Sequence, residues 1–185
     1  GEDIVNGASF DNNLPCIAEK ECFVIDSVAD RLIDSMTRHG AYKISGSDID
    51  KIRDFALINK DGKWVINKKW VGKDARLFLK EIGIESDAKL VICEVDKDHP
   101  FVSTEMMMPV LAIVRVKDID EAIDLAVKAE HGCRHSAHIH SKNIDNLTRF
   151  ARAVETTIFV KNAPSYAGIG AGGEGYTTFT IAGPT

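Results

Sequence analysis

The sequence has few cysteines, no long apolar run and no basic tract, and each shortage narrows the classes of protein it can belong to. Its four cysteines, Cys16, Cys22, Cys93 and Cys133, include no CxxC pair. That argues against a disulfide framework and favours reduced thiols in the cytoplasm. No apolar run reaches the length that spans a membrane. The net charge is −5, and we therefore expect neither a nucleic acid nor a membrane as a partner.

The composition that remains is typical of a globular domain, with 44% hydrophobic and 28% charged residues. A length of 185 residues suits one large domain, and neither an internal repeat nor a linker divides it. We therefore expect residues 1–185 to form one domain. The first residue is Gly1 rather than methionine, and a helix-like pattern begins at once, so we expect a piece of a longer protein.

Apolar periodicity alternates between helix and strand along the chain, which predicts an α/β fold with a layered, largely parallel sheet. Val28, Leu32, Ile33 and Met36 are expected to form the inner face of one helix. The predicted helices cover 2–10, 26–38, a segment from 47, 73–82, a segment from 118, and 143–154. The predicted strands cover 21–26, 90–95, 110–116, 135–140 and 157–160.

Cys16 lies between a predicted helix and a predicted strand. Pro15 fixes its own φ and biases Leu14 away from the helical region, so we expect the thiol on a tight link. A sulfur on such a link can face a cleft and react. A free cysteine is, however, more often a buried packing residue. From its position alone, Cys16 is therefore either a nucleophile or part of the core.

A metal site is one alternative, because Cys133, His135, His138 and His140 form a dense cluster. Zinc sites combine two pairs of closely spaced ligands, and the sequence offers no second pair. Along a strand, His138 and His140 would share one face while His135 points to the other. We therefore expect no metal at this cluster.

A dinucleotide-binding loop is another alternative, because Gly168, Gly170 and Gly173 have the GxGxxG spacing. That fingerprint requires a strand before the glycines and a helix after them. Residues 176–181 favour a strand instead. The glycines are therefore interpreted as a loop and not as a Rossmann fingerprint.

A cysteine nucleophile reacts as the thiolate and needs a base or a polarising group beside it. His135 is the candidate, since it begins a predicted strand after a turn-like segment; a hydrogen-bonded strand-end histidine is the alternative. Glu105 precedes Pro109 and an apolar strand, where it is either a solvated surface group or an acceptor for ligand hydroxyls. The methionines at 106–108 are expected to pack.

Seven motifs follow one another along the chain: GASFDNNLPCIAEK at 7–20, VIDSVAD at 24–30, HPF at 99–101, EMMMPV at 105–110, HSAHIHS at 135–141, IFVKNAP at 158–164 and GGEGYTT at 172–178. In this order they resemble the CoA-acylating aldehyde dehydrogenases. The resemblance is strongest to the propionaldehyde and acetaldehyde enzymes of propanediol and ethanolamine utilisation. It covers nearly the whole chain.

The resemblance implies a three-layer α/β/α catalytic domain in which Cys16 is the nucleophile. Its thiolate would add to an aldehyde, hydride would pass to NAD, and coenzyme A would take the acyl group from the resulting thioester. Glu105 matches the glutamate that binds the nicotinamide ribose, and Pro109 belongs to the same motif. His135 aligns with a histidine thought to assist the cysteine.

The resemblance also implies parts that this sequence does not contain. Complete family members begin with a Rossmann-like NAD-binding domain, which supplies an asparagine to the oxyanion hole. They also carry a C-terminal segment that helps to assemble oligomers. We therefore expect residues 1–185 to be the cysteine domain of a homo-oligomeric protein. Its expected location is the cytoplasm, with a bacterial microcompartment as the more specific alternative.

Two other functions stay open at this point. One is an NAD-independent cysteine acyltransferase or thioesterase that uses Cys16 and His135. The other is a non-catalytic binding or shell-associated module, in which Cys16 only packs. The first would turn over thioesters without NAD, whereas the second would form no acyl-enzyme.

Overall fold

The structure is a computed structural model that describes residues 1–172. Its helices are α1 (Glu2–Ser9), α2 (Asp26–Arg38), α3 (Ser47–Ala56), α4 (Ala75–Glu81), α5 (Pro100–Ser103), α6 (Ile119–Ala129) and α7 (Ile144–Val154). Its strands are β1 (Glu21–Ile25), β2 (Ala41–Ile44), β3 (Leu57–Lys60), β4 (Lys63–Ile66), β5 (Leu90–Glu94), β6 (Val110–Val116), β7 (Ser136–Ile139) and β8 (Ile158–Lys161). The last glycine of the GxGxxG spacing and the strand predicted over 176–181 lie outside the described residues.

The main sheet has four parallel strands in the order β1-β6-β5-β2. Its central strands β5 and β6 are almost completely buried, as their continuous apolar runs predict for strands covered on both faces. In β1 and β6, Glu21 pairs with Ala112 and Ile25 with Val116. The segments that lead into these two strands therefore meet at the same edge of the sheet.

Helices cover both faces of this sheet, so the predicted α/β/α layering is confirmed. On one face, Val5 of α1 and Met36 of α2 pack on Leu90 and Ile92 of β5. On the other face, Ile52 of α3 and Phe78 and Leu79 of α4 form a cluster with Val91 and Cys93 of β5. Successive residues of β5 thus enter opposite core clusters, as the two-residue repeat of a strand requires.

Two smaller sheets lie beside the main one. Strands β3 and β4 form an antiparallel hairpin whose turn is Asp61-Gly62, and both residues have positive φ. Strands β7 and β8 pair in parallel. The face of β7 carries a small core in which Ala137 packs with Phe150 and Val154 of α7 and with Ile123 of α6.

The predicted helix bounds are close to the observed ones, but one buried position was wrong. Val28 was expected on the inner face of α2, yet it is 46% exposed, while Ala29, Ile33 and Met36 are buried. These three residues follow a four- and three-residue spacing, so the buried stripe of α2 lies one position further along than predicted. Within residues 1–172, no helix is both long and apolar enough to cross a membrane.

Candidate active site around Cys16

Cys16 lies in a turn between a short 3₁₀ helix, Phe10–Asn13, and strand β1. Its thiol is exposed, whereas the next residues, Ile17 and Ala18, are 2% and 3% exposed. The Ala18 N–H donates to the Pro15 carbonyl at 3.0 Å and closes the turn. Ile17 is anchored against Ile158 and neighbouring residues of one core cluster. The tight link predicted for this thiol is therefore present, and the thiol on it is exposed. The expected bias of Leu14 was wrong, because Leu14 has helical φ and ψ values of −72° and −39° although it precedes Pro15.

The approach to this turn is an unusual stretch of left-handed backbone. Asp11, Asn12 and Asn13 have φ values of 46°, 53° and 63°. This region is costly for most side chains, and Asn and Asp tolerate it best because they hydrogen-bond locally. The Asn12 Nδ2 donates to the Gly72 carbonyl and to Asp74 Oδ1, both at 3.1 Å. The stretch is thereby tied to the loop before α4.

Asn13 holds the two ends of the turn together from inside. Its side chain is buried, and Nδ2 donates to the Ala8 carbonyl at 2.8 Å and to the Glu19 carbonyl at 2.9 Å. Ala8 belongs to α1, and Glu19 lies directly before β1. One amide therefore links the helix, the cysteine turn and the strand entrance.

Lys20 packs beneath the same turn. Its ammonium donates to Asn13 Oδ1 at 2.8 Å, to the Asn13 carbonyl at 3.1 Å and to the Pro15 carbonyl at 3.4 Å. The side chain is only 18% exposed, and Nζ lies 4.0 Å from Glu105 Oε1. Burial lowers the pKa of Lys20, and the charges of Glu105 and Cys16 oppose that decrease.

Glu19 is a buried acid at the entrance of β1. It is 6% exposed, and Oε1 accepts a hydrogen bond from the Ser165 N–H at 3.0 Å. A Cβ added at Gly7 of α1 would lie 2.3 Å from both carboxyl oxygens, so the carboxyl group occupies the space that glycine leaves. Burial raises the pKa of Glu19 to about 7.

Burial raises the pKa of three further groups in the same way. Burial raises the pKa of Glu21 to about 7, although the charge of Lys20 acts in the opposite direction. Burial also raises the pKa of the Cys22 thiol to about 12, and the same holds for Cys93 inside the sheet. These two cysteines are therefore packing residues, in contrast to Cys16.

Glu105 and Pro109 lie in the link between α5 and β6. The Glu105 side chain is 60% exposed, so its carboxylate is accessible to a ligand. Pro109 is buried, and its carbonyl accepts the Val91 N–H at 2.9 Å, which joins the link to β5. The neighbours Met106 and Met108 are 3% and 1% exposed, as expected for packing residues. The carboxylate thus projects from a link that is fixed on both sides.

His135 lies just before β7, and its backbone N–H donates to Glu130 Oε1 at 2.8 Å. Both ring nitrogens are buried and have no hydrogen-bond partner among residues 1–172. The ring therefore does not match the simple alternative of a hydrogen-bonded strand-end histidine. Burial lowers the pKa of the neighbouring His138 to about 4, with smaller contributions from His140 and His135.

A cleft of about 770 Å³ runs from the cysteine turn along the free edge of β1. Its lining includes Cys16 and Lys20 from the turn, Phe23 of β1, Leu32 of α2 and His138 of β7. In the described part of the chain the β7 segment contributes residues 136–141, and His135 itself is not part of the lining. The structure thus brings Cys16, Lys20 and Glu105 together, whereas His135 does not line the cleft.

Three residues of this site were quoted in the sequence motif without a role: Asn13, Glu19 and Lys20. The sequence contained a signal for Glu19 and Lys20, because these two charged residues stand directly before a strand of mostly apolar residues. Asn13 ends a run of three residues that favour left-handed backbone, which marks a constrained turn. Among residues 1–172, no group of three His, Cys, Asp or Glu side chains is arranged to hold a metal.

The site therefore combines an exposed cysteine on a turn at the amino end of a parallel sheet with an accessible carboxylate on the neighbouring link, and the fold that carries it is of the α/β class. Comparison with known proteins gives the family within that class. The chain belongs to the aldehyde dehydrogenase family, which it matches over residues 2–179.

Relatives within the family confirm the resemblance to the CoA-acylating members. The chain is 52% identical over its whole length to the propanal dehydrogenase (CoA-propanoylating) of Salmonella typhimurium, of which it covers 39%. It is 51% identical to a Rhodopseudomonas palustris propionaldehyde dehydrogenase solved with bound CoA and an acylated cysteine. That match has a TM-score of 0.93 and covers 98% of this chain and 42% of the other.

A third relative is a propionaldehyde dehydrogenase from the fucose utilisation bacterial microcompartment of Clostridium phytofermentans. It is 52% identical, with a TM-score of 0.91, over 98% of this chain and 41% of the other. The chain therefore spans about two fifths of the length of the relatives that it matches.

Proposed function

We propose that this chain is the cysteine-bearing catalytic part of a CoA-acylating aldehyde dehydrogenase that converts a short aldehyde, such as propanal or acetaldehyde, into its acyl-CoA. The observation that carries the proposal is the exposed Cys16 thiol on a turn whose flanking residues are all anchored. The similarity to a structure with CoA and an acylated cysteine supports it. The domain is then residues 1–185, and an NAD-binding domain belongs to the longer protein.

The chemistry of this chain centres on the Cys16 sulfur. The thiolate attacks the aldehyde carbon, and a C–S bond forms as the carbonyl π electrons move to oxygen. A bound nicotinamide cofactor would supply the hydride acceptor: as the electron pair on oxygen restores the C=O bond, hydride would leave this carbon and a thioester on Cys16 would remain. The thiol of coenzyme A then loses its proton to water and attacks the thioester carbonyl as the thiolate, and the Cys16 thiolate departs. Because the acyl group passes from thioester to thioester, its activation is retained.

The residues around Cys16 have distinct roles in this proposal. Glu105 fits the nicotinamide ribose, because it is an accessible carboxylate that can accept hydrogen bonds from two hydroxyls. Pro109 fixes the link that carries it. His135 acts as the base or polarising group for the Cys16 sulfur, and this role is supported by its two buried ring nitrogens, which have no hydrogen-bond partner within residues 1–172.

The assembly and location follow from the same proposal. The longer protein would be a homo-oligomer that contributes the rest of the cofactor site. A cytoplasmic location inside a bacterial microcompartment is supported by the relative from Clostridium phytofermentans. The cofactor is proposed to be NAD.

The test is mass spectrometry of the intact chain after incubation with propionyl-CoA or acetyl-CoA. A mass increase equal to the acyl group is expected, and peptide mapping should place it on Cys16. Cys16→Ala should abolish the adduct, while Cys133→Ala, which removes the other exposed thiol, should leave it unchanged. Absence of the adduct from the unmodified chain would refute the proposal.

A second experiment separates this function from an NAD-independent acyltransferase or thioesterase. Joining the chain to an NAD-binding domain of the family should give NADH formation that depends on both aldehyde and CoA. Hydrolysis of the acyl-CoA by the chain alone, with no NADH formed by the joined protein, would instead support the thioesterase. An unmodified, alkylation-resistant Cys16 would support a binding module.

A further inference from the structure

Lys20 is surrounded by acidic groups that belong to two different parts of the site. The charges of Glu105, Cys16, Glu21 and Glu19 all favour its protonated form, in this order of size. Glu105 comes from the link before β6, and the others come from the cysteine turn and β1. A single buried ammonium therefore connects the nucleophile segment with the carboxylate proposed to bind the cofactor.

The hydrogen bonds of Lys20 place its charge close to the sulfur-bearing residue. The Pro15 carbonyl, 3.4 Å from Nζ, is bonded directly to the Cys16 nitrogen. The Asn13 carbonyl and Oδ1 hold the ammonium from the other side. Lys20 and Cys16 also line the same cleft. Because the side chain is only 18% exposed, water screens this charge less than it would at the surface.

We infer that Lys20 is a positioning residue whose fixed ammonium favours negative charge on the Cys16 sulfur and orients Glu105 toward the cofactor. The inference rests on the proposed function, because it takes Cys16 as the nucleophile. Negative sulfur is present at two stages, before attack on the aldehyde and when the acyl group leaves for coenzyme A. Lys20 transfers no proton at either stage; it keeps its charge throughout. A lysine with a purely structural role would hydrogen-bond the turn carbonyls without any electrostatic effect on the Cys16 sulfur.

Three variants separate the effect of the Lys20 charge from the effect of its hydrogen bonds to the turn carbonyls. Lys20→Gln keeps a donor for the turn carbonyls but removes the charge, Lys20→Met removes both, and Lys20→Arg keeps both. Each chain is alkylated at low salt with anionic iodoacetate and with neutral iodoacetamide, and both rates at Cys16 are measured by peptide mass spectrometry. The rate ratio of the two reagents reports the electrostatic potential at the sulfur, and the iodoacetamide rate alone reports how much of the sulfur is present as the reactive thiolate.

The expected result is a fall of about fivefold in the iodoacetate-to-iodoacetamide ratio at Cys16 in Lys20→Gln and Lys20→Met, with Lys20→Arg close to the unmodified chain. Cys133, the other exposed thiol, serves as a control in the same samples, and its ratio should not change. If Lys20→Met does not fold, the Gln and Arg variants carry the comparison. An unchanged ratio at Cys16 in Lys20→Gln, or an equal change at Cys133, would overturn the inference.

This experiment is independent of the test of function, because alkylation needs neither aldehyde nor coenzyme A. A constant ratio together with normal acylation of Cys16 by propionyl-CoA would refute the role of Lys20 alone. A shifted ratio without any acylation would refute the proposed function and leave the electrostatic role of Lys20 in place.

Discussion

Replacing Glu19 with glutamine should stabilise the fold at alkaline pH and leave it almost unchanged in acid. Glu19 is 6% exposed, its Oε1 accepts the Ser165 N–H, and its Oε2 has no partner within residues 1–172. The ionised form is therefore poorly solvated in the folded chain. Glutamine has nearly the same shape, retains an oxygen for the Ser165 N–H, and cannot ionise.

The magnitude follows from the shift in the pKa of Glu19, from 4.5 to about 7. Between these two pH values the folded chain retains a proton that the unfolded chain has lost. Folding stability therefore falls as the pH rises through this window, and the loss is complete above about pH 7. At 1.36 kcal/mol for each pH unit, the loss is about 3 kcal/mol.

The assay is urea unfolding at pH 5 and pH 8, followed by tryptophan fluorescence. Relative to the unmodified chain, the free energy of unfolding of Glu19→Gln should be about 3 kcal/mol higher at pH 8 than at pH 5. In thermal unfolding this corresponds to about 6–12 °C for a chain of this size. Replacement of the exposed Glu85 with glutamine is the control, and its free energy of unfolding relative to the unmodified chain should be the same at both pH values. A difference that stays constant between the two pH values would refute the reasoning.

Three further predictions concern the same region. Gly7→Ala should destabilise the chain by about 1–3 kcal/mol in urea unfolding, since the new Cβ meets the Glu19 carboxyl at 2.3 Å; the exposed Ser27→Ala in α2 should change little. Asn13→Ala should lower the free energy of unfolding by about 2–4 kcal/mol, because two carbonyls lose their donor and alanine tolerates a φ of 63° poorly. A decrease under about 0.5 kcal/mol would contradict the linking role of this amide. Iodoacetamide at pH 8 should label Cys16 and Cys133 but not Cys22 or Cys93, whose pKa values are raised to about 12 by burial; labelling of Cys22 in the folded chain, measured by peptide mass spectrometry, would contradict its packing role.

Most local elements of the fold were predictable from the sequence, but strand β2 and helix α5 were not among the predicted elements. Helix α2 was predicted over 26–38 and is observed at Asp26–Arg38, because its apolar stripe and Gly40 define both ends. The runs at 90–95 and 110–116 are the central strands β5 and β6, since only strands buried on both faces are apolar without interruption.

The arrangement of the site was not predictable in the same way. Lys20 and Glu105 are far apart in sequence and meet because β1 and β6 are neighbours in the sheet. No local pattern determines which strands become neighbours, so this contact had no signal. His135 was placed on a strand over 135–140, whereas β7 covers only Ser136–Ile139 and leaves it at the entrance. Its role stays a prediction.

The position of the cysteine turn at the amino edge of the main sheet has an electrostatic consequence. Each helix that leads into a strand of this sheet, such as α1 before β1 or α2 before β2, ends at that edge. Helix carboxyl ends carry partial negative charge from unpaired carbonyls, so the macrodipoles oppose an anion there. Nucleotide-binding α/β folds use the opposite edge, where helix amino ends attract anions. The thiolate proposed for Cys16 would lie at this edge, and Lys20, four residues after the cysteine and 18% exposed, is the side-chain cation that would compensate the opposing dipoles.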